Sequence, residues 1–224
     1  MNKFVLLRRV SLLGVALSCL LSALTVAVEP GATALSPAAQ LKALLKPLVM
    51  LRADFNQRIF SADGYEIQNS RGEMYVARPG KLRWIIAPPM EQWLISDGST
   101  LWLYDPDLEQ VIIRPFQQSV ADTPAMLFGG GAEQLEETYT VSVQRTDSAT
   151  TYVLKPIVAT GLYEQISLVF AGEIPRQILI VDALDQRTEI NLSNTDTNIE
   201  LSTEQIATLF SFIPPPGVDI LQDD

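Results

Sequence analysis

Short β-prone runs separated by tight turns fill most of the sequence after Phe55, and they limit the fold more than any other feature. Turn signals recur at Ala62-Asp63-Gly64, Arg78-Pro79-Gly80 and Ser96-Asp97-Gly98, where Gly, Pro and Asp favour tight turns. Connections this short join antiparallel neighbours, because parallel strands need long crossovers. The pattern predicts a meander of about eleven strands. The expected strands are 55–60, 73–78, 82–87, 93–96, 101–104, 110–115, 139–145, 151–156, 165–170, 175–182 and 187–193.

Two or three short helices are expected beside the strands. Ser36 and Pro37 suit an N-cap and a first helical position, and the leucines that follow recur at three- and four-residue steps up to a break near Pro47. The run 123–128, followed by three glycines, predicts an apolar helical turn that is either a connector or a lid. The run 202–205 resembles a capping box and predicts a third helix.

A sheet of this many strands cannot stay flat, because strand twist accumulates across it. Hydrophobic residues make up 47% of the chain, enough for one large core. A folded-over sheet has a concave apolar face that helices, a second sheet or a ligand must fill. We therefore expect a mainly β domain with short helices.

The composition disfavours several classes of function. The chain has 16 basic and 26 acidic residues, a net charge of −10, which argues against nucleic-acid binding. It has no histidine, and its single cysteine is Cys19. The usual Ser-His-Asp base, imidazole or thiolate metal ligands and disulfides are then not available after residue 27. We expect no catalytic residue, no metal and no cofactor.

The nearest approach to a carboxylate cluster is Asp97, Asp105, Asp107 and Glu109. Paired carboxylates can perform acid–base chemistry or bind calcium. Each of these lies in a run that contains Gly or Pro, where Asp commonly accepts hydrogen bonds from its own backbone. We expect them to stabilise turns.

Aromatic residues are concentrated in the first half of the predicted sheet. Either they are ordinary core residues, or together they line a ligand cavity, since such cavities are mostly apolar and aromatic. The pattern alone leaves both possibilities open. The residues are Tyr75, Trp84, Trp93, Trp102 and Tyr104.

The N-terminal segment has the composition of a secretory signal peptide. Lys3, Arg8 and Arg9 precede a long uncharged apolar stretch, and small residues then offer cleavage sites. We expect a signal over 1–27, with cleavage as late as residue 34, a linker over 28–35 and one domain over 36–224. An uncleaved membrane anchor is the alternative, and the sequence before Cys19 is a poor lipidation signal.

Four motifs in order resemble the LolA family of outer-membrane lipoprotein carriers. The first spans residues 72–84 and contains Arg78-Pro79-Gly80, and the second spans residues 94–111 and contains Ser96-Asp97-Gly98. The third is Thr123-Pro124-Ala125-Met126-Leu127, and the fourth is 212–219. The family often has Phe at the position of Leu82 and an apolar residue at that of Lys81. The chain is identified as a member on this resemblance.

The resemblance implies an incomplete, unclosed antiparallel β-barrel with an α-helical lid over an apolar cavity. It implies a periplasmic, monomeric carrier of lipoprotein acyl chains that receives cargo from the inner-membrane complex LolCDE and delivers it to the outer-membrane receptor LolB.

The resemblance also suggests which residues form the site. Pro79 favours an extended Arg78, and the resemblance implies that Arg78 and Pro79 latch the lid, whereas spacing alone favours an ordinary surface arginine. The lid run and the aromatic strands supply the candidate cavity lining. That lining is Leu82, Trp84, Trp93, Trp102, Tyr104, Met126 and Leu127.

Two other functions compete with the carrier. A periplasmic lipid- or lipoprotein-sensing domain on the same fold would normally be followed by a further domain, which we do not expect here. An esterase acting on acyl chains would need a serine with a base, and only lysine or carboxylates are available.

Overall fold

The computed structural model describes residues 35–116, 126–129, 135–158 and 163–222. The predicted signal segment and linker lie outside these ranges, apart from residue 35. The described chain contains four short helices, α1 (Pro37–Leu45), α2 (Met126–Gly129), α3 (Leu135–Thr138) and α4 (Thr203–Leu209). Its strands are β1 (Met50–Phe60), β2 (Glu66–Ala77), β3 (Lys81–Ile86), β4 (Gln92–Asp97), β5 (Thr100–Asp105), β6 (Gln110–Pro115), β7 (Tyr139–Arg145), β8 (Thr150–Pro156), β9 (Tyr163–Ala171), β10 (Ile174–Asp182), β11 (Arg187–Asp196) and β12 (Asp219–Gln222).

All twelve strands belong to one sheet. Their order is β12-β6-β5-β4-β3-β2-β1-β11-β10-β9-β8-β7, with β12 and β7 at the two edges, so the sheet is not closed. Every pairing is antiparallel except that of β12 with β6. The unclosed barrel is confirmed, with one strand more than expected. The expected single meander is instead two meanders, β1–β6 and β7–β11, joined by the pairing of β1 with β11.

One apolar core joins the two halves of the sheet. Its buried residues come from β1, β2 and β3 on one side and from β8, β9, β10 and β11 on the other. Residues so far apart in the strand order share a core only if the sheet folds over on itself. The expected curl is therefore present.

The helix boundaries follow local chemistry. Ser36 caps α1, where its side chain accepts a hydrogen bond from the Ala39 N–H, and Pro37 is the first helical residue. The helix ends at Leu45, two residues before Pro47; Lys46 keeps helical angles and its N–H still bonds to the Lys42 carbonyl, but Pro47 has no N–H with which to continue the ladder. Ser202 and Gln205 form the predicted capping box of α4.

Among the described residues, no helix is both long and apolar enough to cross a membrane.

Candidate functional site

Alternate residues of β1, β2 and β3 form the buried side of the folded sheet, here called the inner face. Strand side chains point alternately to opposite faces, and in β3 the buried residues are Leu82, Trp84 and Ile86. The register places them opposite Val76, Met74 and Gly72 of β2. In sheet order the inner face is built from Leu51, Ala53, Phe55, Gly72, Met74, Val76, Leu82, Trp84 and Ile86.

Three of the helices lie against this core and are here called the helical cover: α1, α2 and α3. Leu41 and Leu45 of α1 are fully buried, and Leu127 and Phe128 of α2 and Leu135 of α3 are almost so. All five belong to the same core as the inner face. An apolar inner face under short helices of four to nine residues can admit an apolar ligand only if the cover moves.

A stacked aromatic pair lies over a glycine on the inner face. The rings of Phe55 and Trp84 have their centroids 3.9 Å apart and an interplanar angle of 24°. Gly72 lies between their strands, opposite Phe55 in β1 and Ile86 in β3. A Cβ atom added at Gly72 would come within 2.6 Å of the Phe55 ring and 1.9 Å of the Ile85 carbonyl oxygen. The absence of a side chain there allows the ring of Phe55 to cover the backbone.

The Arg78–Gly80 turn, residues 78–80 between β2 and β3, holds two helices of the cover. The Nη2 of Arg78 donates to the carbonyl oxygen of Leu45, the last residue of α1, at 2.9 Å. The backbone N–H of Gly80 donates to the carbonyl oxygen of Gly129, the last residue of α2, at 2.8 Å. Carbonyls at a helix C-terminus lack partners within the helix. The Leu45 carbonyl also accepts from the N–H of Leu48 at 3.1 Å, so the bond from Arg78 is its second. One turn therefore donates a hydrogen bond to the end of each helix.

The turn between β4 and β5 packs against the Arg78–Gly80 turn. Asp97 Oδ1 accepts hydrogen bonds from the N–H groups of Ser99 and Thr100. Burial opposes ionisation of the Asp97 carboxyl, but these bonds, that of the Ser99 hydroxyl and the charge of Lys81 hold its pKa below the ordinary value. Asp97 thus acts within a turn as expected.

Asp105 has the same kind of role, since its Oδ1 accepts from the N–H of Leu108. In the described parts of the chain, no group of three or more acidic side chains is placed to hold a metal ion.

The register separates the predicted cavity aromatics into two groups. Trp84 lies on the inner face, opposite Leu94. Trp93 lies opposite Ile85, the residue after Trp84, so its side chain points to the other side of the sheet. Trp93 pairs with Tyr104, and Ile95 with Trp102. Trp93, Trp102 and Tyr104 therefore share the opposite side of the sheet, here called the outer face. The prediction that they line one cavity together with Leu82 and Trp84 is corrected, because those two residues lie on the inner face.

A residue of the C-terminal segment covers the outer aromatics. The ring of Phe212 lies 5.4 Å from Tyr104, 6.2 Å from Trp93 and 6.5 Å from Trp102, measured between centroids. The guanidinium of Arg83 lies 5.4 Å from the centre of the Trp93 ring. Beyond Phe212 the chain adds β12 to the sheet edge beside β6. These three aromatics pack under the chain's own C-terminal segment.

The other candidate lining residues lie at the inner face or in the cover. Leu82 and Trp84 are buried on the inner face, and Leu127 is buried in α2. Met126 is the first residue of α2, and its side chain lies outside the described part of the structure. That these residues contact a ligand stays a prediction.

Sequence reasoning missed the contribution of the second half of the sheet. Phe170 is fully buried in the shared core, where its ring packs edge-on against Phe128 of α2 and Tyr152 of β8. Alternate apolar residues in β9, Ile166 and Leu168 before Phe170, were the available signal.

An unclosed, almost wholly antiparallel sheet whose apolar inner face lies under a tethered helical cover is the arrangement expected of a protein that binds apolar groups.

Comparisons with known proteins identify the family. The sequence model described as outer membrane lipoprotein carrier protein LolA matches residues 48–212. An outer-membrane lipoprotein carrier protein of Chromohalobacter salexigens is 36% identical over 186 residues, 83% of this chain and 87% of the relative. One of Azotobacter vinelandii is 33% identical over 204 residues, 91% of this chain and 97% of the relative. The chain belongs to the LolA family of outer-membrane lipoprotein carrier proteins.

A solved structure agrees at the level of the fold. An uncharacterized conserved protein from Thermus thermophilus superposes with a TM-score of 0.52 at 13% identity, over 83% of this chain and 99% of the other.

Proposed function

We propose that this protein carries lipidated proteins through the periplasm, with their acyl chains held between the inner face and the helical cover. The observation that carries the proposal is an apolar inner face under short helices, two of which are attached at their C-terminal ends to one turn. Membership of the LolA family supports the nature of the cargo. A carrier needs binding that can be reversed, and a few hydrogen bonds at helix ends allow it.

The proposal includes the direction of transfer. Cargo is received from the inner-membrane ABC complex LolCDE and passed to the outer-membrane receptor LolB, and the carrier works as a monomer without a cofactor or catalysis. The sequence after residue 27 has no His or Cys, which supports a role in binding.

An apolar fluorescent probe should bind the mature protein and be displaced by a triacylated lipoprotein. Acyl chains contain many CH₂ groups, each contributing about 0.8 kcal/mol when buried, so even partial burial keeps the cargo out of water. Fluorescence titration measures both steps.

The matched competitor is the same lipoprotein without its acyl chains, which should not displace the probe. Equal displacement by the acylated and unacylated forms, or no probe binding, would contradict the carrier.

Secretion and removal of the N-terminal segment are part of the proposal. The intact mass of the periplasmic protein should lack at least residues 1–27, because the basic, apolar and small-residue regions follow the order of a cleaved signal. Mass spectrometry of the purified protein measures this. A mass that retains residues 1–20, or a lipid on Cys19, would exclude signal removal.

A further inference from the structure

A buried serine lies beneath the Arg78–Gly80 turn. Ser96 in β4 is fully buried, and the register places it on the inner face opposite Leu82 of β3. Buried hydroxyl groups need hydrogen-bond partners, since an unpartnered one costs about 1–3 kcal/mol. The Ser96 hydroxyl has two partners, and both are backbone groups of turns.

The two hydrogen bonds of Ser96 join the turns at one end of the sheet. Its Oγ donates to the carbonyl oxygen of Gly80 at 3.0 Å and accepts from the N–H of Gly98 at 3.1 Å. The first bond reaches the β2–β3 connection and the second the β4–β5 connection. One side chain therefore fixes the position of one turn relative to the other.

The two turns also approach too closely for side chains. A Cβ atom at Gly98 would lie 2.9 Å from the carbonyl oxygen of Pro79, and one at Gly80 would lie 3.1 Å from the Cα of Gly98. Both glycines have positive φ, +67° at Gly80 and +97° at Gly98, which favours glycine. Two side chains therefore make the polar connections here: the hydroxyl of Ser96, and Lys81, whose Nζ donates to the carbonyl oxygen of Asp97 at 2.6 Å. Of these two, only the Ser96 bond reaches Gly80 itself.

Gly80 is held from both sides. Its carbonyl oxygen accepts from Ser96, while its N–H donates to Gly129 at the end of α2. If the carbonyl loses its partner, the peptide planes of Gly80 can rotate, because glycine has no Cβ to restrict them. Rotation would turn the N–H away from α2 and lengthen the bond that attaches this helix.

We propose that Ser96 is a positioning residue for the helical cover: its bond to the Gly80 carbonyl fixes the backbone of Gly80, whose N–H binds the end of α2. The inference rests on the proposed function only where it concerns cargo transfer. Loss of the Ser96 hydroxyl weakens the attachment of α2 and favours movement of the cover.

Ser96→Ala is the first test, and the readout is hydrogen exchange of the Gly80 amide. That amide should exchange about five-fold faster or more, the change expected when one hydrogen bond of ordinary net strength is lost. Amides of the β9–β10 pair report the overall stability, and the rates are compared after correction for it.

Ser167→Ala is the matched control, because Ser167 is also a buried serine, in β9, and its hydroxyl is bonded to Gln165. It should alter stability by a similar amount and leave the Gly80 amide unchanged. Equal exchange of that amide in the two variants would overturn the inference. Ser96→Cys keeps a weaker donor at the same position, on a somewhat larger atom, should give an intermediate rate, and serves for the comparison if Ser96→Ala does not fold.

Transfer from the carrier to LolB separates this inference from the proposed function. Ser96→Ala should load lipoprotein and deliver it several-fold more slowly than wild type. Faster exchange in a protein that binds no lipoprotein would refute the carrier and retain the positioning role. Unchanged exchange of the Gly80 amide in a Ser96→Ala protein that loads lipoprotein normally would refute the positioning role and retain the carrier.

Discussion

Gly72→Ala is expected to lower the free energy of unfolding by about 3 kcal/mol or more, among the largest effects of a single methyl group. The added Cβ would lie 1.9 Å from the carbonyl oxygen of Ile85 and 2.9 Å from its carbonyl carbon. These are backbone atoms of β3, so relief requires β2 and β3 to move apart. Separation would weaken their pairing and displace Phe55, whose ring would lie 2.6 Å from the new atom.

Urea unfolding of the mature protein measures the effect through the midpoint and slope. Gly172→Ala is the control: this turn glycine has φ +60° and open space where a Cβ would stand. It loses only the conformational advantage of glycine at positive φ, about 1–2 kcal/mol. If the two variants are equally stable, close approach at Gly72 does not contribute to the fold.

The strands were predictable because their turns carry sequence signals. Asp97 and Asp105 accept backbone hydrogen bonds within the turns where Gly and Pro marked the chain reversals. The strand β12 was not predicted: it has four residues, all exposed, and pairs in parallel with a distant strand. Such a pairing leaves no local pattern in the sequence.

The face on which each aromatic lies could not be predicted. In β4 the consecutive residues Trp93, Leu94 and Ile95 are all apolar, so no period-two pattern distinguishes the two faces. The outer face is apolar because Phe212 packs on it. Because the C-terminal segment covers the outer face, that face carries apolar residues where an exposed face would carry polar ones. The contact that causes this is long-range, so the local sequence does not show it.

The attachment of the helical cover was only half predictable. The resemblance pointed to Arg78 as a latch of the lid, and its guanidinium donates to the carbonyl oxygen of Leu45 at the end of α1, at 2.9 Å. The second attachment, from Gly80 to Gly129, joins two backbone groups. Backbone hydrogen bonds have no side-chain signature, so only coordinates reveal them.

Arg78→Leu should load lipoprotein and retain it, with delivery to LolB slowed about ten- to a hundredfold. The bond from Arg78 to Leu45 exists only while α1 lies against the sheet, so it stabilises the closed arrangement of the cover. Acyl chains between the cover and the inner face require the open arrangement, so the bond opposes retention and favours release. A hydrogen bond from a charged donor contributes about 1.5–3 kcal/mol, and each 1.4 kcal/mol is about tenfold.

Transfer from purified carrier to LolB, followed over time, measures the rate, and co-purified cargo measures loading. Arg83→Leu is the matched control: it removes the same charge from the next strand, where Arg83 lies over Trp93 on the outer face. It should load and deliver like wild type.

Arg78→Lys should be intermediate, because lysine keeps the charge but lacks the planar array of donors. Normal delivery by Arg78→Leu would mean that the bond from Arg78 to Leu45 does not control release and that the helical cover opens and closes without it.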